Sequence, residues 1–141
     1  MEMERPFRPT LGQGCSRGFS LIELMIVIAI AAILLSVAVP SYREYLRRGA
    51  VAEAISTLSG GRVVAEQFFL DNRTYVGAPC PGNTSRFTIA CEFNAGDYTI
   101  TATGFDNLAT FVYTIDEANV RTTDGPWGSG NCWISRKGDG C

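Results

Sequence analysis

"GFSLIELMIVIAIAAILLSVAVP", residues 18–40, decides how the rest of the chain is read. From Phe19 to Val39 it holds 21 residues and one charge, Glu23. As a helix rising about 1.5 Å per residue, this run is roughly 32 Å long, enough to cross the hydrocarbon core of a bilayer. A helix buried in a soluble domain rarely stays apolar on all faces over such a length. A carboxylate inside a spanning helix costs roughly 2.5–3.5 kcal/mol, so Glu23 calls for a partner.

Three readings of this segment compete. A secretory signal has an apolar region of 7–15 residues and small residues before its cleavage site. Ser36-Val37-Ala38 satisfies the second rule, but the apolar run is long and carries a carboxylate. An ordinary uncut anchor spans correctly and leaves Glu23 without a partner. A cut between Gly18 and Phe19 supplies one. The new α-amino group lies four residues before Glu23, on the same helix face. The carboxylate sits in the first turn, where the helix dipole favours negative charge. If chains pack side by side, Glu23 of one neutralises the Phe19 amine of the next, and the buried pair becomes a register device.

"RGFSLIELMIVIAIAAIL", with Arg17-Gly18 before the cut and Glu23 five residues into the mature chain, resembles the type IV prepilin signature. The resemblance implies cleavage after Gly18 by a prepilin peptidase and N-methylation of Phe19. It implies insertion in the inner membrane as a single pass, N-terminus inside, and then assembly into an extracellular pilus. The charge count says little about orientation. The leader carries Arg5, Arg8 and Arg17 against Glu2 and Glu4, while Arg43, Arg47 and Arg48 follow the span. The expected division is a leader over 1–18, a transmembrane and assembly helix over 19–40, and an exported domain over 41–141.

Beyond Pro40, which removes a helical hydrogen bond and kinks the chain, "SYREYLRRGAVAEAISTLSGGRVVAEQFFLDN" continues as an amphipathic helix. Val51, Ala54, Ile55, Leu58, Ala65, Phe68 and Phe69 keep three- and four-residue spacing. Gly60-Gly61 costs about 1 kcal/mol per glycine in a helix interior, which suggests a bend or a close approach by a neighbour. A helix from Phe19 to about Asn72 is roughly 80 Å long, more than the remaining residues can cover, so its first half must project. "FFLDNRTY" resembles the helix end of type IV pilins, with Arg73 and Val76 where the family often has Gly and Pro.

From Arg86 the period changes to two. "RFTIACEF", "DYTITATG", "TFVYTIDE" and "NVRTTD", separated by turn signals, read as an antiparallel meander of about four strands. The expected fold class is α+β, one long N-terminal helix packed on that sheet, as in the type IV pilin fold.

There are 5 Cys. Cleavage after Gly18 removes Cys15 and leaves four, which allow three pairings. The local pairs Cys80–Cys91 and Cys132–Cys141 each close a short loop, worth about 2–3 kcal/mol apiece. Their spacings are poor for zinc. "CWISRKGDGC", residues 132–141, resembles the disulfide-bounded C-terminal loop of type IVa pilins, and "GPWGSGNCWI" resembles small minor pilins of the PilE type.

Other features carry less. The chain has 141 residues, 46% hydrophobic and 18% charged, with net charge −2, so no general basic surface invites nucleic acid. With no His, His-dependent triads and His-ligated metals are excluded. No catalytic residue, metal or cofactor is expected. Arg136 and Lys137 beside Trp133 form either a solvated loop over a buried ring or a DNA-contacting tip. After Tyr75 there are four basic and seven acidic residues, which disfavours nucleic acid as a partner without excluding it. Asn72-Arg73-Thr74 and Asn83-Thr84-Ser85 match the N-glycosylation pattern. Asp116-Glu117 reads as an exposed turn.

The function expected is a structural pilus subunit. Its partners by resemblance are other pilins, the prepilin peptidase, and the assembly platform with its ATPase. Rival readings are a type II secretion pseudopilin, and a pilus-tip adhesin or DNA-uptake receptor. Twitching motility and cell adhesion are further roles of such filaments.

Overall fold

The computed structural model describes residues 18–141, so the leader residues Arg5, Arg8, Cys15 and Arg17 lie outside the described part. The chain divides into two units at Ala38/Val39. The helix α1 runs from Leu21 to Asn72, 52 residues, and its assignment is unbroken through Pro40. It starts two residues later than the apolar run because Ser20 is its cap. The Ser20 hydroxyl accepts the backbone N–H of Glu23 at 3.2 Å. Every residue of α1 up to Ala38 is exposed.

In the unit starting at Val39, α1 buries Val51, Ala54, Leu58, Gly61 and Ala65, the expected three- and four-residue spacing. Ile55, Phe68 and Phe69 border this stripe and are half-buried. The two glycines separate. Gly60 faces open space, while a Cβ on Gly61 would stand 2.5 Å from Pro81 Cγ and 3.1 Å from Ile100 Cδ1. Close approach, not a bend, explains Gly61. The helix stops at Asn72, whose side-chain amide donates to Phe68 O at 2.9 Å. Arg73 then takes φ 59°, the left-handed conformation usually held by Gly, and its N–H donates to Phe69 O at 2.8 Å.

The sheet is a meander in sequence order, β1 (Phe87–Phe93), β2 (Tyr98–Gly104), β3 (Val112–Asp116) and β4 (Arg121–Asp124), antiparallel throughout. The register aligns Ile89 with Ala102 and Ala102 with Tyr113, and likewise Ile100 with Ile115. Alternation then sends Phe87, Ile89, Tyr98, Ile100, Tyr113 and Ile115 to the face that joins Val51, Leu58 and Ala65 in one core. Val51 and Leu58 are fully buried, each stabilising by about 1.5–3 kcal/mol. The opposite face carries Thr88, Thr99, Thr101, Thr103, Thr114 and Thr122.

Two features exceed the expected meander. The segment read as a plain turn after Gly104 holds a short 3-10 helix, Asp106–Leu108, and the Leu108 carbonyl packs where a Cβ on Gly104 would be. Beyond β4 the chain pairs again, with Thr123 and Gly130 exchanging backbone hydrogen bonds at 2.9 and 3.0 Å. Disulfides join Cys80 to Cys91 and Cys132 to Cys141.

Candidate functional site

The apolar segment is polarised at its start. Gly18 and Phe19 precede the helix and are exposed, Phe19 by 76%. Ser20 accepts backbone donors from Glu23 and Leu24, so Ser20-Leu21-Ile22-Glu23 forms the serine half of a capping box. The Ser-x-x-Glu spacing was legible in the sequence and is the signal our sequence analysis missed. Glu23 occupies the first helical turn, and among the described residues no cation lies within ion-pair distance of its carboxylate. Its charge therefore faces outward on an exposed apolar helix.

The unit starting at Val39 is tied together around Glu66. That carboxylate accepts the Tyr98 hydroxyl at 3.1 Å and the Tyr75 hydroxyl at 3.3 Å, drawing the sheet and the segment after the helix onto α1. Phe69 stacks on Tyr75 with centroids 4.6 Å apart, and Tyr75 meets Tyr98 edge-on at 4.8 Å. Burial, then the negative Glu66, pushes the Tyr75 and Tyr98 hydroxyls above their ordinary range; burial alone does so for Tyr113.

The C-terminal loop is built from its base. Tyr113 donates to Ile134 O at 2.8 Å, Thr123 to Cys132 O at 2.7 Å, and Trp133 Nε1 to Thr114 O at 2.9 Å. Arg136 and Lys137 are exposed beyond this base. The cation on Trp133 is Arg121, 4.7 Å above the ring, a residue our sequence analysis did not single out. Arg136 joins Arg48 and Arg86 along a cleft shared with Tyr45, Glu53 and Ser85. No sequence signal placed those three arginines together, since they come from a helix, a strand entry and a loop.

The remaining expected positions are occupied by local structure. Asn83 Oδ1 accepts the Ile89 N–H at 2.8 Å, and the Asn72 amide is engaged at the helix end. Asp116 is the last residue of β3, and its Oδ1 accepts the Val120 N–H at 2.7 Å across the turn into β4; Asp116 and Glu117 are half-buried rather than exposed as expected. Among the described residues no group of His, Cys, Asp and Glu could hold a metal ion.

Comparison with known proteins gives matches for both halves of the chain. Residues 14–39 match the prokaryotic N-terminal methylation motif. Residues 40–124 match the family described as "Type IV minor pilin ComP, DNA uptake sequence receptor". The type IV major fimbrial protein FimA of Dichelobacter nodosus is 36% identical over 113 residues, covering 77% of this chain and 71% of FimA. The type IV major pilin protein PilE1 of Neisseria gonorrhoeae is 37% identical over 93 residues, 62% of this chain and 56% of PilE1. A fimbrial protein of Pseudomonas aeruginosa is 41% identical over 68 residues, 48% of this chain and 44% of that protein. The chain thus spans about half the length of several curated relatives it matches. The crystal structure of the non-core minor pilin PilV of Neisseria meningitidis shares the fold, with a TM-score of 0.53 at 15% identity, covering 63% of this chain and 96% of PilV. A long apolar helix, a four-strand meander and a match over most of the exported unit agree, and the chain belongs to the type IV pilins, in the ComP minor pilin family.

Proposed function

We propose that this chain is a precursor of a type IV pilus subunit. It is cut between Gly18 and Phe19, methylated on the new Phe19 amine, held in the inner membrane by residues 19–40, and assembled through that helix. One observation carries the reading: an apolar helical segment exposed on every side, with a carboxylate, Glu23, in its first turn that has no ion-pair partner among the described residues. Such a surface is stable only in lipid or against other copies of the same surface. The partners are other pilins, the processing peptidase, and the assembly platform with its ATPase. Pro40, which lacks a backbone hydrogen bond, is where the helix loosens as the subunit leaves the membrane. Mass spectrometry of sheared filaments tests this: the subunit should be present and begin at methylated Phe19. A start at Val39, or an intact Met1, would refute it.

A second reading, reception of DNA, is favoured by the match of residues 40–124 to a family described as a DNA uptake sequence receptor. Arg121 on Trp133 and the Arg48, Arg86, Arg136 cleft supply cations and a stacking surface suited to a phosphate backbone and a base. Replacing Arg136 and Lys137 by Gln should then lower DNA binding and reduce its salt dependence while filaments form normally. Unchanged DNA binding would remove these two residues from the contact.

A further inference from the structure

We propose that the unit starting at Val39 carries, a few residues beyond the apolar run, a binding niche for the headgroup phosphate of an anionic phospholipid, used while the subunit stands in the membrane. The proposal rests on the reading of residues 19–40 as a membrane anchor.

Arg43, Leu46, Arg47 and Ala50 of α1, together with Arg86, Asn107 and Leu108, enclose a niche of about 60 Å³. A single water needs about 10–15 Å³ by this measure, so the niche holds a group of four or five heavy atoms, the size of a phosphate. Three of the lining residues are arginines. Two carboxylates oppose them: Glu44, 3.9 Å from Arg47, and Asp106, 3.7 Å from Arg86. The balance is one positive charge, which suits a phosphodiester. The Nε of Arg47 is buried without a hydrogen-bond partner among the described residues, as is Oε1 of the adjoining Glu44, so the Arg47 side chain keeps a donor free for a further acceptor.

Position then selects the ligand. Pilins aside, any helix leaving a bilayer crosses a headgroup layer of about 5–7 Å on that side. From Val39, the last residue of the apolar run, α1 rises about 6 Å to Arg43 and about 12 Å to Arg47. Helical side chains lean toward the N-terminus, and a long Arg reaches several ångströms further down, so both guanidinium groups fall at headgroup depth. Tyr42 and Tyr45, 63% and 69% exposed, stand in the same turns, where amphipathic aromatic rings favour the membrane interface. A niche built for phosphate at that depth has lipid phosphate as its most concentrated neighbour.

The test uses the full chain in nanodiscs of phosphatidylcholine with a minority of phosphatidylglycerol, released into native mass spectrometry. The parent should retain phosphatidylglycerol in preference to phosphatidylcholine. Arg43→Gln, Arg47→Gln and Arg86→Gln should each reduce that retention roughly fivefold, while Arg73→Gln leaves it unchanged. Thermal melts of each variant separate lost binding from lost folding. Equal retention of both lipids, or retention by the three variants, overturns the proposal. So does loading by inorganic phosphate without lipid, which makes it a free-anion site, or displacement of the lipid by a short DNA duplex, which makes it part of a nucleic-acid surface. A chain that fails to enter nanodiscs at all would instead overturn the anchor reading beneath it.

Discussion

The ring of Pro81 rests on the backbone of Gly61, at a distance where a side chain on residue 61 would meet Pro81 Cγ at 2.5 Å. Pro81 follows Cys80, which is bonded to Cys91 in β1, so the disulfide holds the ring against the helix.

Adjacent glycines should therefore respond with opposite signs. Gly60→Ala fills open space and gains helix propensity, raising stability by about 0.5–1 kcal/mol. Gly61→Ala gains the same propensity but overpacks against Pro81 and Ile100, for a net loss of about 1–2 kcal/mol. Urea unfolding of the exported unit measures both. Equal effects would show that Pro81 yields freely.

Arg73 supplies the contrary case, a side chain where backbone geometry asks for none. Its φ of 59° is a left-handed helix end that Gly adopts without steric cost. Arg73→Gly should raise stability by about 0.5–1 kcal/mol, read as a shifted urea midpoint with an unchanged slope.

Alkaline pH should weaken the unit starting at Val39. Tyr75, Tyr98 and Tyr113 all have hydroxyls raised from 10.0. A raised acid keeps its proton in the folded state after the unfolded chain has lost it. Its stabilisation is complete below about pH 10 and falls as pH climbs past it. Unfolding midpoints measured across that range should drop. Glu66→Gln should flatten the decline for Tyr75 and Tyr98, leaving the part due to burial and to Tyr113. At neutral pH the same change should cost about 1–2 kcal/mol, because it weakens two charge-assisted hydrogen bonds.

Glu23→Val should leave the exported unit intact, since the core is built from residues 51 onward. The backbone N–H of residue 23 still meets Ser20, so the helix start survives. Membrane levels and both disulfides should be normal while incorporation into filaments falls severely, measured by immunoblot of sheared and membrane fractions. Efficient incorporation would refute pairing between Glu23 and a neighbouring Phe19 amine.

The helix and the four strands were legible because each repeats a simple period. Apolar residues recur at three and four in 51–69 and alternate in 87–93, 98–104 and 112–116, while 121–124 follows from its threonines and the turn before it. What escaped depends on contacts between distant segments. Gly61 reads as a weak point in its own helix until Pro81, twenty residues on, is placed above it. Arg121 looks like a strand-end cation until Trp133 comes beneath it. The pairing of Thr123 with Gly130 has no periodic signal, because one residue pair makes no pattern. Ser20 differs in kind: its capping spacing with Glu23 is local and fully present in the sequence.

Both margins of the sheet are partly covered by the domain's own chain. At the β1 margin Asn83 takes the Ile89 N–H and Thr84 donates to Phe87 O; at the β4 margin Gly130 takes Thr123. Open margins recruit strands from other molecules, and such pairing is hard to undo. A strand arriving from another molecule would find the Phe87 carbonyl, the Ile89 N–H and the Thr123 backbone already engaged within the domain.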